Sequence, residues 1–223
     1  MSHPHPTLDR AFDAFLFDMD GTLLSSILAA ERAWSAWAQR HGLDVTDFLP
    51  SIHGLRTAEA MRLLNAPGHD PEVEAAAIVV AEMEDMEGVA EIAGAAVFLA
   101  SLPADRWAIV TSAPRALALR RLAAAGLPLP ALIVTSEDVQ HGKPAPDCFL
   151  LAARRMGVKI ENCLVFEDAP AGIAAAEAAG APVMVINATH RHPYETHHPQ
   201  VSGYDQLAWQ PTPAGGLQIG LHD

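Results

Sequence analysis

The sequence predicts an α/β fold: a parallel sheet with helices on both faces, interrupted near its start by an all-helical insertion. Three observations carry this. Short apolar runs alternate with helical patterns from Gly94 to Ile186, as in successive strand–helix–strand units. Between Ser25 and Met86 the pattern is helical, with no strand signal. Half of the 223 residues are hydrophobic while only 6% are aromatic, so alanine supplies much of the core and favours close helix packing.

The elements follow in order. Ala11 to Phe17 reads as a buried strand that runs into a tight turn at Asp18, Gly21 and Thr22. In the helical stretch from Ser25, residues Ile27, Trp34, Trp37 and Ala38 lie on different faces from Leu28, Arg32, Ser35 and Gln39, and Gly42 ends the helix. A second helix is expected over Thr57 to Leu64, closed by Ala66-Pro67-Gly68. A third, acidic one runs from about Pro71 to Met86. Strands are then expected at Trp107 to Val110, Ala131 to Thr135, Cys163 to Phe166 and Val183 to Ile186. Helices are expected at Ala95 to Leu102, Arg115 to Ala125, Asp147 to Met156 and Ala171 to Ala179, the last three stopped by Gly126, Gly157 and Gly180. In the His- and Pro-rich tail from His190, a short helix is expected near Asp205 to Trp209 and a strand near Leu217 to Leu221. The sum is a Rossmann-like parallel-sheet core (residues 1–24 and 90–223) with an inserted all-helical cap (residues 25–89).

A net charge of −13 excludes a standing association with nucleic acid or an anionic membrane, because no basic field is present to release counterions. It leaves room for an anionic small molecule, since a metal ion and one or two bases can reverse the sign locally. Cys148 and Cys163, the only cysteines, read as small buried hydrophobes in a reducing compartment. Met1 to Arg10 holds no signal-like apolar stretch, and no apolar run is long enough to span a bilayer. A cytoplasmic location is expected. Oligomeric state is not legible, and a monomer is compatible with the sequence.

Ligands of open parallel sheets bind beyond the carboxyl ends of the strands. Polar residues gather there: Asp18-Met19-Asp20-Gly21-Thr22 after the first strand, Thr111-Ser112-Ala113 after the next, Gly142-Lys143-Pro144 in a later loop, and Glu167-Asp168 after another strand. Carboxylates and carbonyls suit a hard cation such as Mg²⁺, which offsets the repulsion between an aspartate nucleophile and a phosphate dianion. Lys143 can hold the nucleophile and a phosphate oxygen, and Ser112 and Thr111 can donate to the transferring group. Positioning and charge neutralisation are what phosphoryl transfer requires.

In order and wording these residues resemble the four motifs of the haloacid dehalogenase superfamily: the DxDGT run at Asp18, the Thr111-Ser112 pair, Lys143 in HGKPAPD, and Glu167-Asp168 in EDAPAGIAAAEAAG. The resemblance extends to about Ala188. It implies Asp18 as the residue that becomes phosphorylated and Asp20 as the acid and base. It implies Asp18, the Asp20 carbonyl and Asp168 as holders of Mg²⁺, with Glu167 a ligand or a supporting residue. The helical insertion resembles the cap of a subgroup that includes sugar and polyol phosphatases and β-phosphoglucomutase. Its runs ERAWSAWAQRHGL and IHGLRTAEAM are most similar to the phosphatases. His53, Gly54 and Arg56 are the cap residues expected to face the substrate, a small phosphorylated metabolite. The implied activity is Mg²⁺-dependent hydrolysis of a sugar or polyol phosphate.

Two departures from the subgroup stand out. Leu24-Ser25-Ser26 occupies the place where an aspartate is usual, and Ala93-Gly94 replaces a Pro-Gly pair where the insertion rejoins the core. The mutase resemblance also asks for a histidine about a dozen residues past the nucleophile, where this chain has Ala30. Dehalogenases resemble the first motif without its second aspartate. Simpler readings remain for single residues. Trp34 and Trp37 fit a hydrophobic core better than a sugar-stacking platform. The acidic run Glu82 to Glu87 fits a solvated helix face. The histidines at 190, 192, 197 and 198 fit a polar surface loop better than a zinc site.

Overall fold

The computed structural model describes residues 8–190 and 195–221; His192 lies outside them. The elements are β1 (Ala11–Phe12), β2 (Ala14–Phe17), β3 (Leu24–Ser25), α1 (Ile27–Arg40), α2 (Thr57–Leu64), α3 (Pro71–Glu84), β4 (Ala90–Glu91), α4 (Ala95–Ser101), β5 (Trp107–Val110), α5 (Arg115–Ala124), β6 (Ile133–Val134), α6 (Asp147–Met156), β7 (Cys163–Glu167), α7 (Pro170–Ala179), β8 (Val183–Ile186), β9 (Gln200–Val201), β10 (Leu207–Pro211) and β11 (Leu217–Leu221). Six strands form one sheet in the order β6-β5-β2-β7-β8-β9, every pair parallel. The α/β class expected from the alternation is what the chain adopts.

The central strands are apolar, apart from Glu167 at the carboxyl end of β7, because both faces are covered. Along β2, Phe15 and Phe17 point to one side, where they meet Phe98, Phe166 and Tyr204. Ala14 and Leu16 point to the other, in a cluster with Val110, Phe149 and Val165. The two-residue period of a strand thus feeds two separate cores.

The helices α1 to α3 have a third core of their own, built on Trp34, Trp37, Ile52, Met61 and Ile78. Trp37 is fully buried and donates its indole hydrogen to Glu74 at 2.7 Å. Trp37 is a core residue, as expected; Trp34 belongs to the same buried cluster but also lines the cavity described below. Asp70 caps α3 by accepting from the N–H groups of Glu72 and Val73, and Pro71 occupies the first helical position, where no hydrogen is needed. The helical segment is entered and left through the short antiparallel pair β3–β4, Leu24 opposite Glu91 and Ser25 opposite Ala90.

Three expectations need correction. The run Ala11 to Phe17 is two strands, not one. Asp13 breaks it by bonding through its N–H to the Asn162 carbonyl and through its carboxylate to the Asn162 side chain. β1 then joins a separate three-stranded antiparallel sheet, β1-β11-β10. The helix expected near Asp205 to Trp209 is a single turn at Tyr204–Gln206 followed by β10, because β11 offers it a full antiparallel partner. Glu82, expected on a solvated face, is buried with 5% exposure against α5.

Candidate active site

β2 sits mid-sheet, with β5 and β6 to one side and β7, β8 and β9 to the other. Its carboxyl end is the point where the strand order reverses, the usual ligand site of such sheets. Asp18 lies there, 5% exposed. Lys143 reaches it from the loop between β6 and α6. Its ammonium donates to Asp18 Oδ1 at 2.5 Å, to Glu167 Oε1 at 2.7 Å and to the Val110 carbonyl at 3.2 Å, so three acceptors meet its three hydrogens. The other oxygen of Glu167 accepts from the N–H groups of Asp168 and Ala169, both at 2.8 Å. Asp168 accepts from the Thr22 hydroxyl at 3.0 Å. A side chain at Gly21 would start 2.0 Å from Asp168 Oδ2, and its φ of +88° is one that only glycine takes readily.

Three buried carboxylates here share one ammonium. Burial lifts the Asp18 carboxyl to about 8; Lys143 pulls it down, while Glu167 and Asp20 push it up. Asp168 is raised well above the usual carboxylate range, first by burial and then by Glu167 and Asp18. Lys143 works against its own burial, and the neighbouring Asp18 and Glu167 hold it charged. Ligand oxygens of Asp18, Glu167 and Asp168 all lie within 4.8 Å of one another. A buried all-oxygen set with surplus negative charge fits a hard divalent cation.

Asp20 has its own partners. Its Oδ1 accepts from the Ser26 hydroxyl at 2.6 Å and from Arg121 Nη1 at 3.0 Å. Ser26 is the residue before α1, yet its hydroxyl serves Asp20 and caps no helix N–H. Arg121 Nη2 lies 3.5 Å from Glu82 Oε1. Nothing in the sequence reading places Arg121 at the site, and Glu82 figures there only as part of a solvated acidic face.

A cavity opens above these groups. Core residues Asp18, Asp20, Thr111, Ser112, Ala113, Arg121 and Asp168 line it together with Glu31, Trp34, His53, Gly54, Thr57 and Glu82 of the helical segment. The Ser112 hydroxyl donates to the Gly54 carbonyl at 2.7 Å, and Thr111 Oγ1 accepts from the Ala113 N–H. The sequence-selected residues thus converge: most line the cavity, and Lys143 and Glu167 lie behind Asp18 rather than in the lining. Arg56 neither lines the cavity nor contacts these groups. Its guanidinium donates to the carbonyls of Val139 and Gln140, and Glu59 accepts from the Gly142 N–H at 3.1 Å. Arg56 grips the loop that carries Lys143.

The tail also reaches the site. Tyr204 donates to the Thr22 carbonyl at 3.2 Å, and a ring nitrogen of His190 meets the Asp168 carbonyl at 2.8 Å. Tyr204 and Thr22 are 182 positions apart, so no local pattern marks that contact, whereas His190 and Asp168 are 22 apart. His197 and His198 lie beside Glu177, which is roughly half exposed. His41, His69 and Glu74 form another cluster among the helices.

Residues 12–180 match the family of haloacid dehalogenase-like hydrolases. The chain is similar to hexitol phosphatase A of Escherichia coli (strain K12), 42% identical over 178 residues that cover 78% of this chain and 82% of that protein. It is also similar to fructose-1-phosphate phosphatase YqaB of the same organism, 35% identical over 76% of this chain and 93% of the other. The fold superposes on β-phosphoglucomutase from Clostridium difficile with a TM-score of 0.74, at 21% identity, over 87% of this chain and 92% of that one. No helix of the described residues is long and apolar enough to cross a membrane. With its family matched over most of its length and three polar strand ends and the Lys143 loop gathered at one point, the chain is an enzyme of the haloacid dehalogenase-like hydrolase family.

Proposed function

We propose that this enzyme hydrolyses phosphomonoesters of small sugars or polyols through a phosphoaspartate formed on Asp18. The observation that carries the reading is the Asp18 carboxylate itself, held by Lys143 on the floor of a cavity shared with the inserted helices. Asp18 attacks phosphorus as the bond to the sugar oxygen breaks. Asp20 gives a proton to that departing oxygen, then takes one from the water that hydrolyses the acyl phosphate, and inorganic phosphate leaves. Thr111, Ser112 and the N–H of Ala113 line the cavity where phosphate oxygens would sit.

Asp18, the Asp20 carbonyl and Asp168 are the groups that would hold Mg²⁺. Both oxygens of Glu167 are already engaged, by Lys143 and by two backbone N–H groups, so Glu167 fits an orienting role better than direct ligation. When bound, the ion neutralises the charge of the phosphate and the carboxylates. Residues 25–89 act as the cap over a core of residues 1–24 and 90–223, and cap seating excludes water from the cavity.

The far wall supports a neutral leaving group. Glu31, Glu82, Thr57 and His53 are there, and the charge of Arg121, the arginine of the lining, is offset by Asp20 and Glu82, although its Nε and Nη2 have no hydrogen-bond partner. Hydroxyls find acceptors on such a wall, whereas a second phosphate or a carboxylate meets like charge. This favours hydrolysis over mutation of a bisphosphate and disfavours phosphoglycolate, and the likeness to hexitol phosphatase A points the same way. Phosphate release from a panel of hexose, hexitol and glycerol phosphates, phosphoglycolate and nucleoside monophosphates, with Mg²⁺ and with chelator, tests it. Mg²⁺-dependent release concentrated on sugar or polyol phosphates is expected. Preference for phosphoglycolate, or release that persists in chelator, would overturn it.

A further inference from the structure

Arg121 is an odd residue to find inside this protein. It is 5% exposed, while its neighbour Arg120 in the same helix is exposed. A buried guanidinium is kept only where carboxylates meet it. Two do, and they come from different parts of the chain. Nη1 donates at 3.0 Å to Asp20 Oδ1, on the core, and Nη2 lies 3.5 Å from Glu82 Oε1, on the inserted helix α3. Glu82 is as buried as Arg121. The planar fork of arginine directs one nitrogen at each carboxylate, which a lysine would not do. The Ser26 hydroxyl, at the point where the helical segment begins, holds the same Asp20 oxygen at 2.6 Å.

We propose that Arg121 is a positioning residue that fixes the Asp20 carboxylate for proton transfer, and that Glu82 ties this arrangement to the seating of the inserted helices. The proposal rests on the phosphatase reading, in which Asp20 serves as acid and base. Arg121 touches neither the attacking carboxylate nor the metal-holding oxygens. Its loss therefore weakens protonation of the leaving oxygen and spares attack by Asp18. Because the second carboxylate rides on α3, Arg121 faces both carboxylates with the helices docked, Nη1 hydrogen-bonded to Asp20 and Nη2 within ion-pair reach of Glu82, and proton transfer is at its best in the closed enzyme.

A leaving-group comparison separates this from a merely structural role. For Arg121→Met, kcat/KM for a hexitol phosphate, whose alkoxide needs a proton, is expected to fall by about 10²-fold. For p-nitrophenyl phosphate, whose phenolate leaves unaided, the fall is expected to stay within about threefold. Glu82→Gln should show the same split with a smaller loss on the hexitol phosphate, and Arg120→Met should change neither substrate. If Arg121→Met does not fold, since it strands Glu82, the double variant Arg121→Met/Glu82→Met carries the test and should show the same split. Equal losses on both substrates, or no loss on either, would overturn the proposal. Wild-type enzyme that turns over no phosphomonoester would instead overturn the phosphatase reading on which it rests.

Discussion

The hydroxyl of Ser112 donates to the carbonyl of Gly54 at 2.7 Å, which ties the carboxyl end of a sheet strand to the loop before α2. This contact belongs to a seam between the core and the inserted helices that Arg56 and Glu59 continue along the Lys143 loop. The seam needs glycine at 54. Its φ is +81°, and a Cβ there would lie 2.8 Å from the Ala169 Cβ. Gly54→Ala should therefore pry the helices from the core and lower kcat/KM by tenfold or more, as displacements of about 1 Å can cost about 10²-fold. Steady-state kinetics on a sugar phosphate would show it; an unchanged kcat/KM would mean that the seam does not matter to turnover.

Arg56 was expected to read the substrate, and its position changes that expectation. Arg56→Ala removes hydrogen bonds to the Val139 and Gln140 carbonyls and leaves the cavity lining intact. It should lower kcat/KM by a similar factor, on the order of tenfold, for every accepted substrate. A change in the ranking of substrates across the panel would restore the specificity role.

Much of the site was legible in the sequence because it sits at strand ends. Asp18, Thr111 and Asp168 each follow an apolar run, and the sheet then brings them together whatever the detail of the helices. Glu82 and Arg121 were missed although the sequence held a signal. Glu82 continues the buried stripe Ala75–Ile78, and Arg121 falls among Leu117, Ala118 and Leu122, so helical spacing alone places both inward. The acidic neighbours of Glu82 and the adjacent Arg120 masked that spacing. β10 was missed for another reason. Its pairing with β11 decides its shape, and short segments take the structure their partner offers.

Burial raises the Glu82 carboxyl to about 7; Arg121 opposes the shift and Asp20 adds to it. The folded protein thus holds this proton more tightly than the unfolded chain. The stability that follows is complete below the ordinary value of 4.5, declines as pH rises through about 7, and is absent above it. Glu82→Gln should flatten the stability curve between these pH values by no more than about 3 kcal/mol. Urea unfolding at a series of pH values measures the difference, and parallel curves for the two proteins would refute it.

Trp37 anchors the core of the inserted helices. It is fully buried, packs edge-on against Trp34 and donates to Glu74. Trp37→Ala should destabilise this core by about 3–5 kcal/mol. Trp37→Phe, which mainly loses the hydrogen bond, should cost about 1–2 kcal/mol. Denaturant melts of both variants give the comparison; equal losses would mean that the hydrogen bond, not the packing, is what Trp37 contributes.

The most direct test of the account is to look for a phosphoryl group on Asp18. In Asp20→Asn the nucleophile and Lys143 remain while the base that activates water is gone, so an acyl phosphate should persist long enough to be trapped by acid quench. Mass analysis of the peptide bearing Asp18, after mixing with Mg²⁺ and p-nitrophenyl phosphate, whose phenolate leaves without a proton from residue 20, is predicted to show one phosphoryl group, and Asp18→Asn is predicted to show none and to lose at least about 10⁴-fold in kcat. A phosphoryl group on any other residue, or near-full activity in Asp18→Asn, would contradict the account.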